Sequence, residues 1–372
     1  GVANQTMIFF DELGAPFRGS VANLTTDYRS QIMSLNNFDD MYQETTQLIT
    51  SDAGVFEISS YSNNQQDSHE LIMPVHVLDA YQDRNQFFTY FNGEKNSFIS
   101  HGINGSWALG IFKDADLRYK KPLRSKFTNP WLNFSASGTS FGSLIAGNNQ
   151  FDLAVLVSSG RSKFQANELF AESDTSTVAM FEIQPKNSLP SIQIGLLKEN
   201  DANLGLSGSG AFNSSNGKMT SFLGLSNSLD WMGGKFFSSF YLGNTPSTLS
   251  DTGMIRSSSN IQSSAFGLGF LKSSIFTTND EIVVSVDQPL RTESGRMNLR
   301  VPVYRDKEKN VLFNSFGFSL SPSGREINSS ASYQSSYKNI GFSLAVGYKS
   351  DPFHIKSMQD YWYTSIGFSL II

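Results

Sequence analysis

The stretch that decides the fold is Asn339–Lys349, NIGFSLAVGYK, because large apolar residues occupy every second position in it. The positions between them hold Gly, Ser, Ala, Gly and finally Lys. A period of two belongs to a β-strand, whose successive side chains point to opposite faces of a sheet. The final stretch, Tyr361–Ile372 (YWYTSIGFSLII), repeats the pattern. Both stretches predict strands with one apolar face and one face of small or polar residues.

The same alternation dominates the chain from about Val55 onward, and apolar residues at helical spacing interrupt it in two places. These predict one or two short helices within Val21–Leu48 and another helix at Ser162–Ser173. In the last two hundred residues the alternation predicts twelve strands, separated by turn clusters rich in Ser, Asn and Gly. The twelve are Thr177–Gln184, Ser191–Lys198, Asn203–Phe212, Lys218–Leu229, Gly234–Gly243, Ser263–Ser273, Glu281–Pro289, Arg296–Tyr304, Phe313–Ser321, Ile327–Tyr337, Asn339–Lys349 and Tyr361–Ile372.

Three regions follow from these elements: a linker with short helices (1–50), a β-rich region that precedes or forms part of a barrel (51–175) and a C-terminal β-barrel (176–372). Within the middle region, strands are also predicted at Trp107–Phe112 and Trp131–Ser137. The basic run Arg118–Lys126 between them is either an exposed loop or a contact for lipid phosphates.

The composition suits such strands. Only 16% of the residues are charged, yet the mean hydropathy is −0.24, because Ser, Asn, Gly and Thr replace the missing charges. Lys plus Arg number 28 against 33 Asp plus Glu, a net charge of −5, which argues against a nucleic-acid binder. The chain has no cysteine, which excludes disulfides, thiol catalysis and zinc–thiolate sites.

Alternation alone does not separate a membrane barrel from a water-soluble sandwich. A sandwich usually fills its non-apolar face with Lys, Glu and Arg, whereas here that face holds mostly Gly, Ser, Ala and Asn. We therefore expect an all-β, antiparallel, outer-membrane-type β-barrel of about twelve strands or more. A soluble all-β interaction or scaffold domain is the alternative.

Particular residues are expected at particular places in such a barrel. The residues expected to face the membrane are Ile282, Val284, Phe342, Leu344, Trp362 and Phe368. The aromatic residues expected near the two membrane interfaces are Tyr241, Tyr304, Tyr337, Tyr348 and Trp362.

Three C-terminal stretches carry a family resemblance: SVDQPLRTESGRMNLRVPV (Ser285–Val303), FSLSPSGREINSSASY (Phe318–Tyr333) and GFSLAVGYKSDPFH (Gly341–His354). They are similar to the C-terminal region of subtilisin-type (S8) autotransporter-like serine peptidases of Gram-negative, chiefly alphaproteobacterial, bacteria. Near the N-terminus, IFFDELGAPFRGSVANL (Ile8–Leu24) resembles the segment that leads out of the protease domain in that family. There Ala15-Pro16 replaces the expected arginine.

The resemblance implies a non-catalytic β-domain that follows a peptidase and lies in the outer membrane, with the cell surface or secretion as alternatives. In that family the domain is a membrane barrel with a helix in its pore. The implied partners are outer-membrane lipid, the barrel assembly machinery and the peptidase or passenger part of the same precursor. The chain departs from the family by ending in Ile372, where an aromatic residue is usual.

Two short motifs resemble catalytic signatures, but the residues around them do not match what those catalytic sites require. The HG pair at 101–102 and the GTS triplet at 138–140 resemble subtilisin signatures, but only 39 positions separate His101 from Ser140, too few for the sheet between them. Gly138–Gly142 also matches G-x-S-x-G, yet Gly147 and two Asn follow too soon for the helix that a nucleophile elbow requires. An independent hydrolase is therefore a third hypothesis that rests on Ser140 alone.

Metal and cofactor sites are not predicted. His69 and His76 are seven positions apart rather than the four that place two imidazoles on one helical face. Asp114 and Asp116 lack the surrounding pattern of a calcium-binding loop.

Four charged residues are expected in the lumen or at turns: Arg291, Arg300, Arg325 and Glu326. Arg325 and Glu326 follow a Pro-Ser-Gly turn. An ion pair between them would either order a plug or pore helix or be a surface pair worth under about 1 kcal/mol.

Overall fold

The computed structural model of the 372-residue chain is all-β. It describes residues 6–10, 16–20, 42–51, 54–63, 86–92, 97–101, 109–114, 117, 123, 126–135, 139–145, 150–161, 175–186, 189–200, 202–204, 206–207, 218–249, 254–307, 309–337 and 340–370. Among these residues there is no helix of seven or more residues. None of the helices in this part of the chain has the length and apolar character needed to cross a membrane.

The strands in chain order are β1 (Thr6–Phe10), β2 (Pro16–Ser20), β3 (Tyr42–Ser51), β4 (Gly54–Asn63), β5 (Gln86–Asn92), β6 (Ser97–His101), β7 (Thr139–Ile145), β8 (Phe151–Arg161), β9 (Thr175–Pro185), β10 (Ser191–Glu199), β11 (Ala202–Asn203), β12 (Leu206–Ser207), β13 (Lys218–Trp231), β14 (Gly234–Thr245), β15 (Thr248–Leu249), β16 (Ile255–Ser258), β17 (Ile261–Ser273), β18 (Asp280–Ser294), β19 (Arg296–Arg305), β20 (Val311–Ser319), β21 (Ile327–Tyr337), β22 (Ile340–Ser350) and β23 (Tyr361–Leu370). Three short 3-10 helices are η1 (Gly110–Lys113), η2 (Pro130–Ser135) and η3 (Pro352–His354).

Fifteen strands form one antiparallel sheet. Its order is β3-β4-β5-β6-β7-β8-β9-β10-β13-β14-β17-β18-β21-β22-β23, so each strand pairs with the next strand of this sheet along the chain. Such a meander is the arrangement expected when hairpins join successive antiparallel strands. In the described residues, β3 and β23 are the two edge strands, and a closed barrel stays a prediction.

The connections at the two ends of this sheet differ in length. At one end they run from two residues (52–53, between β3 and β4) to six (274–279, between β17 and β18). At the other end they run from ten residues (351–360, between β22 and β23) to 37 (102–138, between β6 and β7). We call these the short-connection end and the long-connection end.

A four-stranded sheet, ordered β15-β16-β19-β20, projects from the long-connection end. Its strands continue β14, β17, β18 and β21 of the large sheet along the chain and in the same spatial order. Backbone bonds from Ser259 N to Arg296 O (2.8 Å) and from Leu320 N to Gly295 O (3.0 Å) bridge the junction. We call this sheet the extension, and β1 lies against its strand β19.

The long connection between β6 and β7 covers one face of the large sheet. Its described part, residues 109–114, 117, 123 and 126–135, is called the inner segment, and the face that it covers is called the inner face. Apolar side chains of the inner segment pack on successive strands from β8 to β18. One short segment reaches strands so far apart in the sheet because the sheet curves around it.

The large sheet buries polar side chains on its inner face beside the apolar core, and it exposes aliphatic side chains on its outer face, unlike a water-soluble sheet. Along β10, Gln193 on the inner face is 1% exposed, whereas Ile194 and Leu196 on the outer face are 55% and 46% exposed. Along β13, Thr220 is fully buried and Met219 is 52% exposed. Polar side chains are therefore covered while aliphatic side chains lie on the surface, an arrangement that water by itself disfavours.

Several strand predictions are confirmed, and others are wrong. Arg296–Tyr304 and Phe313–Ser321 form strands, but in the extension rather than the large sheet. The described part of Asn203–Phe212 holds only the last residue of β11 and the two residues of β12 in strand conformation. Within Trp107–Phe112 and Trp131–Ser137, the structure has the 3-10 helices η1 and η2 instead of strands.

The N-terminal helix prediction is wrong for residues 42–48, which lie in β3. β3 contains Thr45, Thr46, Ile49 and Thr50, whose branched Cβ atoms favour a strand over a helix. Residues 21–41 of that prediction and the helix predicted at Ser162–Ser173 lie outside the described residues. The predicted domain boundaries at 50/51 and 175/176 fall inside β3 and β9, and the three-region division stays a prediction.

The two-residue turn between β13 and β14 yields a prediction about stability. Met232 (φ 50°) and Gly233 (φ 69°) both have the positive φ of a type I′ turn, and Met232 is 73% exposed. Met232→Asn should stabilise the protein by roughly 0.5–1 kcal/mol, because Asn tolerates the left-handed conformation better. The measurement is the midpoint of urea unfolding in detergent. Gly233→Ala is the opposite control and should lower the midpoint, and a Met232→Asn midpoint below that of the wild type would contradict the turn assignment.

Candidate functional site

The candidate site is the contact between the inner segment and the inner face, where the buried polar groups of the described chain concentrate. Glu182 of β9 is fully buried, and both of its carboxylate oxygens accept a hydrogen bond from the backbone N of Gly110, each at 3.0 Å. Gln193 of β10 donates to Glu182 at 2.8 Å and accepts from the Asn129 amide at 2.8 Å. The Glu182 carboxylate thus fixes the start of η1, and the Gln193 amide on the neighbouring strand fixes Asn129, the residue before η2.

Two lysine–aspartate contacts join the inner segment to other strands. Asp114 pairs with Lys235 of β14 at 2.7 Å and accepts a hydrogen bond from Ser228 at 3.2 Å. Lys126 lies 3.9 Å from Asp287 of β18 and donates to the hydroxyls of Ser285 and Ser330. The polar contacts of the inner segment therefore extend from β9 to β21.

Aromatic side chains of the inner segment pack onto glycine positions of the inner face. The Trp131 indole stacks on Phe222 with ring centroids 4.8 Å apart, and a Cβ at Gly243 would overlap it. Phe127 meets Phe237 edge-on at 4.9 Å, and a Cβ at Gly267 would overlap its ring. Glycine at 243 and 267 lets the rings touch the backbone of the sheet, so the inner face is shaped to accept this segment.

The predicted charged residues divide between two places. Arg291 donates to the carbonyl oxygens of Gly324 (3.0 Å) and Pro322 (3.1 Å), at the long-connection end of β18. Arg300 lies in the extension, with its guanidinium 4.3 Å from the centre of the Phe313 ring.

Arg325 and Glu326 pair with different partners, although the sequence suggested a pair between them. Arg325 pairs with Glu293 at 2.7 Å, and Glu326 pairs with Lys349 at 3.1 Å. Consecutive residues at the start of a strand point to opposite sides, which separates their charges.

The residues predicted to face the membrane share the outer face of the sheet. Val284 and Trp362 are 42% and 73% exposed, and Ile282, Phe342 and Leu344 are half-buried there. Phe368 occupies the same face by its position in β23, and its side chain lies outside the described residues. Contact with lipid itself stays a prediction for all six.

Aromatic clusters lie near both ends of the outer face. Trp231 meets Phe236 and Phe270 edge-on near the short-connection end, and Trp362 packs on Tyr348 (ring centroids 4.9 Å apart) near the long-connection end. Tyr241 was expected with them, but this expectation is wrong. It is 2% exposed on the inner face, and its hydroxyl donates to Phe127 O at 3.1 Å, because it packs against the inner segment.

Of the other expected interface residues, Tyr304 is 53% exposed in the extension. The side chain of Tyr337 lies outside the described residues.

The Ser140 hypothesis loses its geometric basis. Ser140 lies within β7 rather than on a turn between a strand and a helix. In the β6–β7 register, position 101 is opposite position 139, so position 140 belongs to the other face of the sheet from position 101. The turn between a strand and a helix that a nucleophile elbow requires is not found at position 140.

In the part of the chain that the structure describes, no group of three or more His, Asp or Glu is placed to hold a metal ion. His69 and His76 lie outside that part. Of the basic run Arg118–Lys126, the described residues are Leu123, which is buried, and Lys126, which contacts the inner face. The alternatives of an exposed loop and a lipid contact therefore do not apply to Lys126.

The inner segment itself was not predicted from the sequence. Its signal was the clustering of Leu109, Ile111, Phe112, Leu117 and Leu123, in which the period of two ends at Ile111. All five are buried, at 3% exposure or less.

The fit of Trp131 onto Gly243 yields a prediction. Gly243→Val should displace the inner segment from the inner face, because the new side chain occupies the space of the Trp131 indole. Overpacking of this kind costs about 1–3 kcal/mol, which raises the population of the displaced state roughly 5- to 150-fold. Trypsin cleavage after Lys113 and Lys126, which are both half-buried in the packed segment, measures that population.

Gly317→Val is the matched control, because only the Asn298 side chain lies near a Cβ at that position of the extension. It should leave cleavage of the inner segment unchanged. Equal cleavage rates in the Gly243→Val variant and the wild type would contradict the packing described here.

Comparison with known proteins adds no relative to this picture. A scan against protein-family models and a search of curated proteins both find no match for the chain.

Proposed function

We propose that this chain is a non-catalytic outer-membrane β-barrel, the anchor or translocator domain that follows a subtilisin-like peptidase in a Gram-negative cell envelope. The observation that carries the proposal is the inverted burial of the large sheet. A membrane barrel needs apolar side chains outside and tolerates polar ones inside, whereas a water-soluble sheet needs the reverse.

The outer face is apolar over many strands, which supports lipid as its surroundings. In the described residues, exposed large apolar side chains occur on nine strands of the large sheet, from Val157 of β8 and Phe181 of β9 to Val346 of β22 and Ile366 of β23. A monomeric soluble protein rarely leaves such a continuous apolar surface uncovered. The aromatic clusters at Trp231 and Trp362 lie where the interfacial aromatic belts of a membrane barrel are expected.

The lengths of the connections support an orientation. Outer-membrane barrels have short turns on the periplasmic side and long loops outside. The short-connection end would then face the periplasm, and the extension would project from the cell. Because β1 lies against β19 of the extension, the N-terminal hairpin is at the outer end, so a preceding peptidase would be held at the cell surface.

The inner segment supports an anchor rather than an open channel. It fills the inner face with apolar side chains, among them Trp131, Phe127 and Ile111, which are at most 1% exposed.

Extraction tests the proposal directly. The protein should remain in the membrane fraction without detergent, dissolve with detergent, and migrate differently on SDS gels before and after boiling. Recovery of the folded protein in detergent-free buffer as a monodisperse species would overturn the membrane assignment and favour the soluble scaffold alternative.

A charge on the outer face provides a second test. Ile194→Arg should destabilise the protein in lipid vesicles by about 2–4 kcal/mol, because the middle of β10 would lie near the bilayer midplane. The measurement is the folded fraction against urea after refolding into phosphatidylcholine vesicles.

Met232→Arg is the matched control, because it replaces another exposed apolar residue, at a turn that would lie outside the lipid. It should change stability by less than about 1 kcal/mol. Similar small effects of both variants would show that Ile194 meets water.

A further inference from the structure

The connection between β22 and β23 holds an unusual backbone. Asp351, Phe353 and His354 have φ angles of 41°, 58° and 60°, in the left-handed region that residues other than glycine avoid. Three such residues within four positions persist only when their surroundings hold them in place. The contacts that hold them therefore decide whether this connection keeps its conformation.

The His354 ring is the centre of those contacts. Its Nδ1 accepts a hydrogen bond from the backbone N of Glu326 at 2.9 Å, and its Nε2 lies 3.2 Å from the carbonyl oxygen of Leu290. Since Nδ1 faces a donor and Nε2 faces an acceptor, the ring is neutral with its proton on Nε2. The carbonyl oxygen of His354 also accepts from Gly324 N at 2.7 Å.

Two carboxylates complete the arrangement. Glu326 accepts from the backbone N of Phe353 at 2.6 Å and pairs with Lys349 at 3.1 Å. Asp351 accepts from the backbone N of Arg325 at 3.0 Å. The connection 351–360 is thus fastened to the last residues of the connection between β18 and β21.

We propose that His354 is a proton-sensitive latch that holds the connection 351–360 in its strained conformation at neutral pH and releases it under mildly acidic conditions. A second proton on the ring binds at Nδ1. It would direct an N–H group at the Glu326 N–H, so that the hydrogen bond is lost and two donors face each other.

The groups around the His354 ring shift its pKa in opposite directions. Burial lowers the pKa of His354, the Arg291 and Arg325 guanidinium groups lower it further, and the Glu326 carboxylate opposes them. Lys349 and Asp351 are the other charged groups of the arrangement, and each contacts a partner there.

Because the pKa of the folded state lies below the ordinary histidine value of about 6.5, the latch contributes its full stability above that pH. The contribution is lost as the pH falls through the pKa of the folded state.

Hydrogen exchange tests the proposal on the folded full-length protein. The amides of Gly324, Glu326 and Phe353 are bonded to this arrangement, so their exchange reports its opening. Between about pH 7.5 and about pH 5, after correction for intrinsic exchange rates, their protection should fall at least about tenfold. The amides of the β13–β14 hairpin should keep theirs.

The matched variant is His354→Gln, which keeps a polar side chain that does not titrate in this range. Its exchange at these amides should be the same at both pH values. Unchanged protection in the wild type overturns the proposal. So does an equal loss in the wild type and His354→Gln, which would assign the response to Asp351, Asp360 or Glu326.

A second measurement needs no variant. Nitrogen-15 labelling of the four histidines reports the tautomer and titration of each ring. A His354 ring that is protonated on Nδ1 at neutral pH, or that titrates at or above the ordinary value, would overturn the latch. Neither experiment depends on insertion into a membrane. A result that overturns the latch is therefore distinct from an extraction result that overturns the membrane assignment.

Discussion

The packing of the inner segment against the inner face is the contact on which the rest of the structure depends. Trp131, Phe127 and their neighbours pack on apolar side chains of the sheet, such as Phe222 and Phe237, and complete the core on this side. They also cover polar groups such as Glu182 and Gln193, whose burial is favourable only because each has hydrogen-bond partners. The curvature of the large sheet follows, since strands from β8 to β21 all reach one short segment.

With the core on the inner side, the outer face has no protein partner in the described part of the chain and yet is rich in aliphatic residues. This placement of apolar residues on both faces differs from that in a sandwich, where the apolar faces of two sheets cover each other. It also accounts for the composition: small residues such as Gly243 and Gly267 leave room for the rings of the inner segment. Few charges are needed on the inner face, because that face meets protein rather than water.

The long-connection end collects the charged residues that the sequence singled out. Arg291, Arg325 and Glu326 lie there, but each is bonded to a residue distant in the chain: the carbonyl of Gly324, Glu293 and Lys349. The sequence did not predict a functional role for their neighbour His354, because a single histidine forms no recognisable motif. The backbone angles of residues 351–354 and the two ring contacts make it notable.

The sequence by itself determined the period of two, and with it the strands and the separation of their faces. In β22 and β23 the small residues lie inside and the large apolar residues outside, as alternation requires. It also predicted the outer-face positions of Val284 and Trp362. Only the tertiary structure decided that the inner segment folds onto the inner face, that β19 and β20 leave the large sheet, and that Tyr241 points inward. These outcomes depend on contacts between residues far apart in the chain, and a local repeat carries no information about which distant surface will cover a given face.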